Sequence, residues 1–448
     1  MTGICGIAEG GKYEEINQML DELEHRGGSG RKVIEINGAT FGIVFSEMQE
    51  NLNDYSNPNC IEDAIGQLQY ARACYRDGSI ILERDPLGIT PLYFGHDSRG
   101  TLYFASEVKA LIDYTSYVNQ VPPGHRYNGA RVNQYFNLTK RSESHNSSES
   151  IAKKLFRYLD KAISKYIELD REPTGCWLSG GLDSSAIAAL AKNHLETLYT
   201  FSAGLSDSPD IKAAREVAEY IRSEHFETIV RFNDLLKILP KVIYHLESFD
   251  ALLVRSSTMN FIVAQSASKH VNSVFSGEGA DELFAGYAYL KSKETKALTD
   301  ELIDITNRLH DTALQRVDRS ATAYGTVAYV PFLDSDVVNF AFCIPNRYKV
   351  CNNVEKWILR KSMEGSLPKS IINRTKAKFW KGAGVEDRLA EYIEEQISDQ
   401  EFESERKLMN GWILNTKEEL FYYRIFQDRF GKFKELNWIG RTKGAPKT

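Results

Sequence analysis

The sequence predicts a chain of α/β and α+β class in two domains. The first is built on antiparallel sheet, and the second on a parallel sheet with a helical extension. Three observations predict this. Before residue 137, short runs rich in β-branched and aromatic residues dominate, separated by Gly, Asp and Asn. After residue 150, such runs alternate with helical text, which is the mark of βαβ units. Beyond residue 290 the text is mainly helical.

Each element follows from its local text. "KVIEING", "TFGIVFS", "GSIILERD", "PLYFGHD" and "TLYFAS" read as strands of an antiparallel sheet, with a few helices between them. "NLTKRSESHNSSES", residues 137–150, is polar and Ser-rich and reads as a linker. Domains 1–145 and 150–448 are therefore expected. In the second, "GCWLSGG", "TLYTFSAGL" and "VNSVFSGEG" read as strands, and "IKAAREVAEYIRS" as an amphipathic helix.

Composition bounds the function. The 448 residues are 42% hydrophobic and 26% charged, ordinary for globular material. A net charge of −6 does not favour a nucleic-acid surface. No apolar run approaches the ~18 residues of a membrane span, and the first fifteen residues turn acidic too early for a signal peptide. Six cysteines lie far apart without CxxC or Cys/His spacing, which predicts reduced thiols and a cytoplasmic protein. The nine histidines show no metal spacing.

"CWLSGGLDSSA", residues 176–186, runs from a strand into a helix. The modest reading is a corner, bent by Gly and capped by Asp or Ser. The sharper reading is a phosphate cradle, made by freed backbone N–H groups and the positive end of the new helix. "TFSAGLSDSPD" and "VFSGEGADELFAGY" follow two further strands. Ligands of open parallel sheets bind at the carboxyl ends of strands, so three such corners predict a nucleotide site.

"SGGLDSS" resembles the pyrophosphate loop of the ATP pyrophosphatase superfamily rather than a Walker A loop, whose GK[ST] ending is absent. Together with "TFSAGL…SPDIKAAREVA", "SGEGADELFAGY", "YVPFLD" and "VEKWILRKSMEGSLPKSIINRTKAKF", it resembles the synthetase domain of asparagine synthetases, from about Ser150 to about Gly384. Before the linker, "CGI", "HRGGSG", "ERDPLGITPLYFG", "FASEVKALI" and "PPGHRY" resemble the family's glutaminase domain more patchily. The resemblance implies a shortened Ntn-hydrolase-like antiparallel sandwich (a class II amidotransferase-like domain). It implies next an adenine nucleotide alpha hydrolase-like ATP pyrophosphatase domain with a helical extension.

The implied chemistry is amide synthesis with ATP and Mg²⁺: a carboxylate is adenylated and ammonia attacks it. Ser179, Gly180, Gly181, Ser184 and Ser185 offer donors to pyrophosphate, and Asp183 and Asp281 are hard oxygen ligands for Mg²⁺. By motif position, Leu178, Ala203, Ser276 and Gly277 meet the nucleotide. Glu278 matches the family's catalytic glutamate, Lys376 a lysine that steadies the activated intermediate, and Arg255 an arginine near pyrophosphate and substrate. Asp183 as a plain helix cap, Glu278 as a solvated turn acid and Lys376 as part of a solvated basic run are the structural alternatives. Asp334 in "PFLD" reads as a helix cap.

The chain departs from the family in several places. The family's glutaminase nucleophile is an N-terminal cysteine whose own amine serves as base; here Cys5 follows four residues, so its nitrogen is an amide unless cleavage after Ile4 exposes it. Only 56 residues separate Gly27 from Arg84, and none forms the family's Asn-Gly-Glu turn. Cys5 is thus expected to be a vestigial nucleophile in an inactive domain. In the second domain, Leu252-Leu253-Val254-Arg255 stands where the family reads Thr-Thr-Ile-Arg, and Thr326 to Phe332 differ from Val-Glu-Ala-Arg-Val-Pro-Phe.

The expected function is an ammonia-dependent amide synthase with aspartate as default acceptor, bound to no nucleic acid or membrane. Homodimerisation is the family habit. Two rivals stand beside it: the same chemistry on another carboxylate or with a larger amine, and a nucleotide-binding regulatory or scaffold protein without turnover.

Overall fold

The computed structural model describes residues 2–46, 59–65, 69–169, 173–206, 208–375, 386–431 and 435–442. Within them, the first part holds β1 (Thr2–Ile7), α1 (Tyr13–Leu23), β2 (Gly30–Ile36), β3 (Ala39–Phe45), β4 (Cys60–Ile65), β5 (Gln69–Arg76), β6 (Ser79–Arg84), β7 (Tyr93–His96), β8 (Leu102–Ala105), β9 (Val118–Gln120), β10 (His125–Tyr127) and β11 (Val132–Gln134). They form two antiparallel sheets, ordered β2-β3-β1-β8-β7-β9 and β11-β10-β6-β5-β4. Ile4, Phe41, Ile43 and Phe104 of one sheet pack on Ile61, Ala73 and Leu82 of the other. Strand alternation turns the neighbouring residues Cys5 and Ile7 the other way, into the layer of α1, whose Ile16, Met19, Leu20 and Leu23 are buried.

The second part opens with α2 (Ser148–Leu169), whose buried residues Ile151, Leu155, Leu159, Ala162 and Tyr166 recur at helical spacing. Its parallel sheet comprises β12 (Thr174–Trp177), β13 (Tyr199–Gly204), β14 (Glu224–Ile229), β15 (Ser273–Phe275) and β16 (Val327–Tyr329), ordered β14-β13-β12-β15-β16. β12 is buried along its length, as a strand covered on both faces must be. The crossovers and flanks are α3 (Leu182–Lys192), α4 (Pro209–Ile221), α5 (Phe232–Leu246), α6 (Ala251–Ala267), α7 (Ala280–Phe284), α8 (Thr295–Asn307) and α9 (Ala313–Thr322). α4 starts sharply: the Ser208 hydroxyl accepts from the Asp210 and Ile211 amides, and Pro209 sits at the first turn. The helical extension follows as α10 (Ser335–Cys343), α11 (Asn346–Lys349), α12 (Trp357–Ser362), α13 (Lys369–Ile372), α14 (Glu386–Gln396), α15 (Asp399–Glu405) and α16 (Lys417–Phe430). Asp334 caps α10 as its sequence suggests, accepting from the Asp336 amide. Among the described residues no helix is long and apolar enough to cross a membrane.

One expectation is overturned. Cys60 and Cys74 lie directly opposite on β4 and β5 and form a disulfide. A separation of 14 residues in the chain becomes a single rung once a hairpin folds back. Spacing alone therefore gave the wrong answer of reduced thiols throughout. Cys5, Cys176, Cys343 and Cys351 are free.

The two parts share a buried ion network. Arg26 donates to both oxygens of Asp318 at 2.9 and 3.0 Å, to Glu107 at 2.8 Å and to Asp63 at 3.0 Å. Arg319 pairs with Glu107 and Glu247, and Lys109 with the same two acids. His25, Glu107 and His245 stand within 4.8 Å of one another there, a proximity that linear spacing hides. Glu107 already faces Arg26, Lys109 and Arg319, so its charge is answered by three cations before any metal is considered.

Candidate functional site

The chain runs β12, β13, β14 in one direction and then returns to set β15 against the other edge of β12. The loops after β12 and β15 therefore meet at the point where strand order reverses, the usual ligand crevice of such sheets. After β12, Gly180 turns with φ 70°, and a Cβ there would fall 2.4 Å from the Ala214 nitrogen of α4. Gly181 then stands at the N-cap of α3, so Asp183 lies in the first turn rather than at the cap. The loop is closed by its own hydroxyls. The Ser179 amide donates to Ser184 Oγ at 3.2 Å, and the two hydroxyls lie 3.0 Å apart.

The loop after β15 presses on this one. A Cβ at Gly277 would meet the Ser184 nitrogen at 2.7 Å and the Asp183 carbonyl carbon at 2.9 Å. Gly279, with φ 96°, then swings the chain into α7, which carries Asp281. Leu178, Ser179, Gly181, Asp183, Ser184, Ala203, Ser276, Gly277, Glu278 and Asp281 line one cavity of about 660 Å³. Trp177, Phe201 and Val263 give it apolar walls; Arg308, Arg316, Lys356 and Arg374 bring positive charge.

Three expected residues stand outside this lining. Gly180 is covered by α4 and offers its carbonyl to Arg374 at 2.9 Å. Ser185 is fully buried, with its amide donating to the Gly181 carbonyl. Arg255 is not among the residues lining the cavity. Its guanidinium pairs with Glu418 of α16, which also accepts from Tyr422 at 2.8 Å. The apolar neighbours Leu252 and Leu253 face the cavity instead. Lys376 lies outside the described residues.

Two residues missing from the sequence reading hold central places. Arg316 of α9 pairs with Glu278 and donates to Ser256 Oγ at 2.9 Å. No motif announced it. Lys356 sits inside the quoted segment "VEKWILRKS", yet its basic neighbours gave no reason to single it out. Its Nζ lies 2.5 Å from Asp183 Oδ2 and 2.6 Å from Asp281 Oδ1. Burial works against that charge, but the two carboxylates outweigh it and hold Lys356 above the ordinary lysine range. The two acids thus converge on a single cation position, and hard carboxylate oxygens aimed at one point fit Mg²⁺. Across the loop, burial raises Asp210 while Arg374, at 2.7 Å, opposes the rise.

Cys5 lies far from this chemistry. It is the fourth residue of β1, opposite Gly42 of β3 and Ala105 of β8. Burial pushes its thiol well above the usual cysteine range.

Comparison with known proteins gives matches over both parts. The Asparagine synthase family profile matches residues 154–303 and 290–439, and the Glutamine amidotransferase domain profile matches residues 52–155. Asparagine synthetase [glutamine-hydrolyzing] 2 of Arabidopsis thaliana is 36% identical over 381 residues, which are 80% of this chain and 66% of that protein. Asparagine synthetase [glutamine-hydrolyzing] of Zea mays is 33% identical over 441 residues, 93% of this chain and 72% of that protein. This chain therefore spans about two thirds of the length of such relatives. Among solved structures, NMN synthetase from Francisella tularensis matches at 13% identity and a TM-score of 0.30, covering 67% of this chain and 100% of that chain.

Proposed function

The chain belongs to the asparagine synthase family, and from that footing we propose that it is an ATP-dependent ligase forming C–N bonds. It adenylates a carboxylate, by default aspartate, and transfers ammonia to it with release of AMP and pyrophosphate. One observation carries this reading. The loops after β12 and β15 share one cavity, and Asp183 and Asp281 converge there on one cation position.

The residues have distinct roles in this reading. Ser179, Gly181 and Ser184 hold the departing pyrophosphate with N–H and O–H donors, while Gly180 and Ser185 shape the turn beneath. Leu178, Ala203, Ser276 and Gly277 bound the nucleotide. Asp183 and Asp281 would hold Mg²⁺, whose chemistry is to neutralise polyphosphate charge. Glu278 takes the proton from the attacking ammonia, and Arg316 keeps its carboxylate aimed. In this reading Arg316, which lines the cavity, takes the role expected of Arg255. Lys376 keeps its assignment to the activated intermediate.

Nitrogen comes from ammonia in this reading. The relatives are named as glutamine-hydrolyzing enzymes, but Cys5 carries an amide nitrogen in this sequence, and its buried side chain holds the thiol well above the usual cysteine range. Such a group supplies neither base nor thiolate at neutral pH. A second reading, another carboxylate acceptor, is favoured by the cavity wall. Leu252 and Leu253 line it, while Tyr329 is buried in a stack on Tyr166 with ring centroids 4.7 Å apart.

Pyrophosphate release over a panel of carboxylates, with ammonium or glutamine, tests these readings together. Release with aspartate and ammonium, unchanged in Cys5→Ala, is expected. Release with a different carboxylate selects the second reading. Release with none leaves a nucleotide-binding protein without turnover. Turnover on glutamine equal to that on ammonium, lost only for glutamine in Cys5→Ala, overturns the nitrogen assignment.

A further inference from the structure

Lys356 occupies the position that the proposed metal ion would take, and the fold goes to some length to keep it there. Its backbone is left-handed, with φ 54°, a conformation unfavourable for a residue with a side chain. Its side chain is buried. Space for the stem exists because residue 286 is glycine. A Cβ there would lie 1.8 Å from Asp281 Oδ1 and 2.2 Å from Lys356 Cε. The preceding Glu355 is clamped by Lys291 at 2.6 Å and Arg360 at 2.8 Å, and Arg360 Nε also holds the Glu355 carbonyl at 2.9 Å. A buried lysine between two aspartates can be simply a structural ion pair. Here both aspartates line the ligand cavity, and so does the lysine itself.

We propose that Lys356 is the resident counter-ion of the Asp183–Asp281 pair, a positioning residue that keeps the two carboxylates convergent until a divalent cation enters with the nucleotide and displaces its ammonium toward the polyphosphate. This rests on the reading of Asp183 and Asp281 as metal ligands. The charges explain why the exchange is coupled. Two carboxylates and one ammonium carry −1 together. A divalent cation neutralises the pair and frees one positive charge beside it. Without a polyphosphate, that charge has lost its partners in a partly closed cavity, which opposes metal entry. With a polyphosphate present, the freed ammonium finds oxygen acceptors, so each ligand raises the affinity for the other. The lysine thus makes the metal site answer to the nucleotide.

Mn²⁺ binding to the whole protein, followed by electron paramagnetic resonance, tests this without any need for turnover. The native protein is expected to bind Mn²⁺ roughly tenfold or more tightly with ATP than without. Lys356→Met is expected to bind Mn²⁺ without nucleotide about tenfold more tightly than the native protein, and to lose most of the gain from ATP. Lys356→Arg should behave like the native protein. The double change Lys356→Met with Asp281→Asn should bind no better than native. Should Lys356→Met fold poorly, Lys356→Gln makes the same test, and Mn²⁺ should raise its melting temperature more than that of the native protein. Equal nucleotide-free affinity in the native and lysine-free proteins overturns the proposal. A native protein that binds no Mn²⁺ even with ATP overturns instead the metal reading on which it rests.

Discussion

At the scale of single residues, the cavity separates two kinds of acid. Asp281 faces a cation position, and Glu278 faces a guanidinium. Their neutral variants should therefore fail differently. Asp281→Asn is expected to lower pyrophosphate release at least about a hundredfold, with the melting temperature kept within a few degrees. Glu278→Gln should retain nucleotide binding and lose roughly a hundredfold in kcat for amide formation. A loss of nucleotide binding in Glu278→Gln would reverse its assignment. Elsewhere, Lys349 is buried beside Phe342, and burial pushes its ammonium down to about 7, with Cys343 and Glu143 opposing. In the unfolded chain a lysine titrates near 10.4. Between about 7 and 10.4 the unfolded chain therefore binds more protons than the folded one, and stability rises with pH. Lys349→Met should stabilise the protein at neutral pH, on the order of a few kcal/mol, and the advantage should shrink as pH climbs toward about 10. Chemical denaturation at a series of pH values measures both. The acids were legible because their motifs are dense in small residues. Arg316 was not, because "ALQRVDRS" is ordinary helical text whose meaning depends on which face meets the cavity.

At the scale of elements, the strands with loops of chemical interest were readable from their punctuation. β12, β13 and β15 each run into Gly and Ser, and each was expected there. β1 was not expected as a strand, although all six of its residues are buried. "TGICGI" is short and rich in glycine, which the strand tolerates because Phe104 fills the space over Gly6. The disulfide between β4 and β5 depended on a register that no local pattern states. Closeness of the two site loops is likewise a property of topology. It makes Gly277 a sensitive backbone position of the cavity. Gly277→Ala pushes a methyl group against the Ser184 nitrogen and the Asp183 carbonyl carbon, both backbone atoms with little freedom to move. Expected is a loss of nucleotide affinity of about tenfold or more with a normal far-ultraviolet circular dichroism spectrum. Unchanged affinity would mean that the loops are free to part.

At the scale of the whole molecule, α9 faces two ways. Arg316 turns to Glu278 and the cavity, while Asp318 and Arg319 turn to Arg26 and Glu107 of the first part. Arg26→Met would strand Asp63, Glu107 and Asp318 with less opposing charge in a buried place. A cost of about 3–5 kcal/mol is expected, read as a lower denaturation midpoint. Because α9 carries Arg316, ammonium-dependent kcat should fall as well. A lower midpoint with unchanged kcat would limit the network to stability. None of this network was legible in the sequence. Arg26 appeared within "HRGGSG", where the family likeness pointed to glutamine chemistry, and its partner Asp318 lies 292 residues away.

The same two-faced helix constrains how this chain can change over generations. Were the first part to lose its old reaction, mutation could shorten its loops and erode its pocket at little cost. Deleting it outright is another matter, because Asp318, Arg319 and Glu247 would be left buried or newly wetted without Arg26, Glu107 and Lys109. A free-standing second part that kept these charged residues would carry that penalty. Decay by trimming therefore costs such a lineage less than decay by excision.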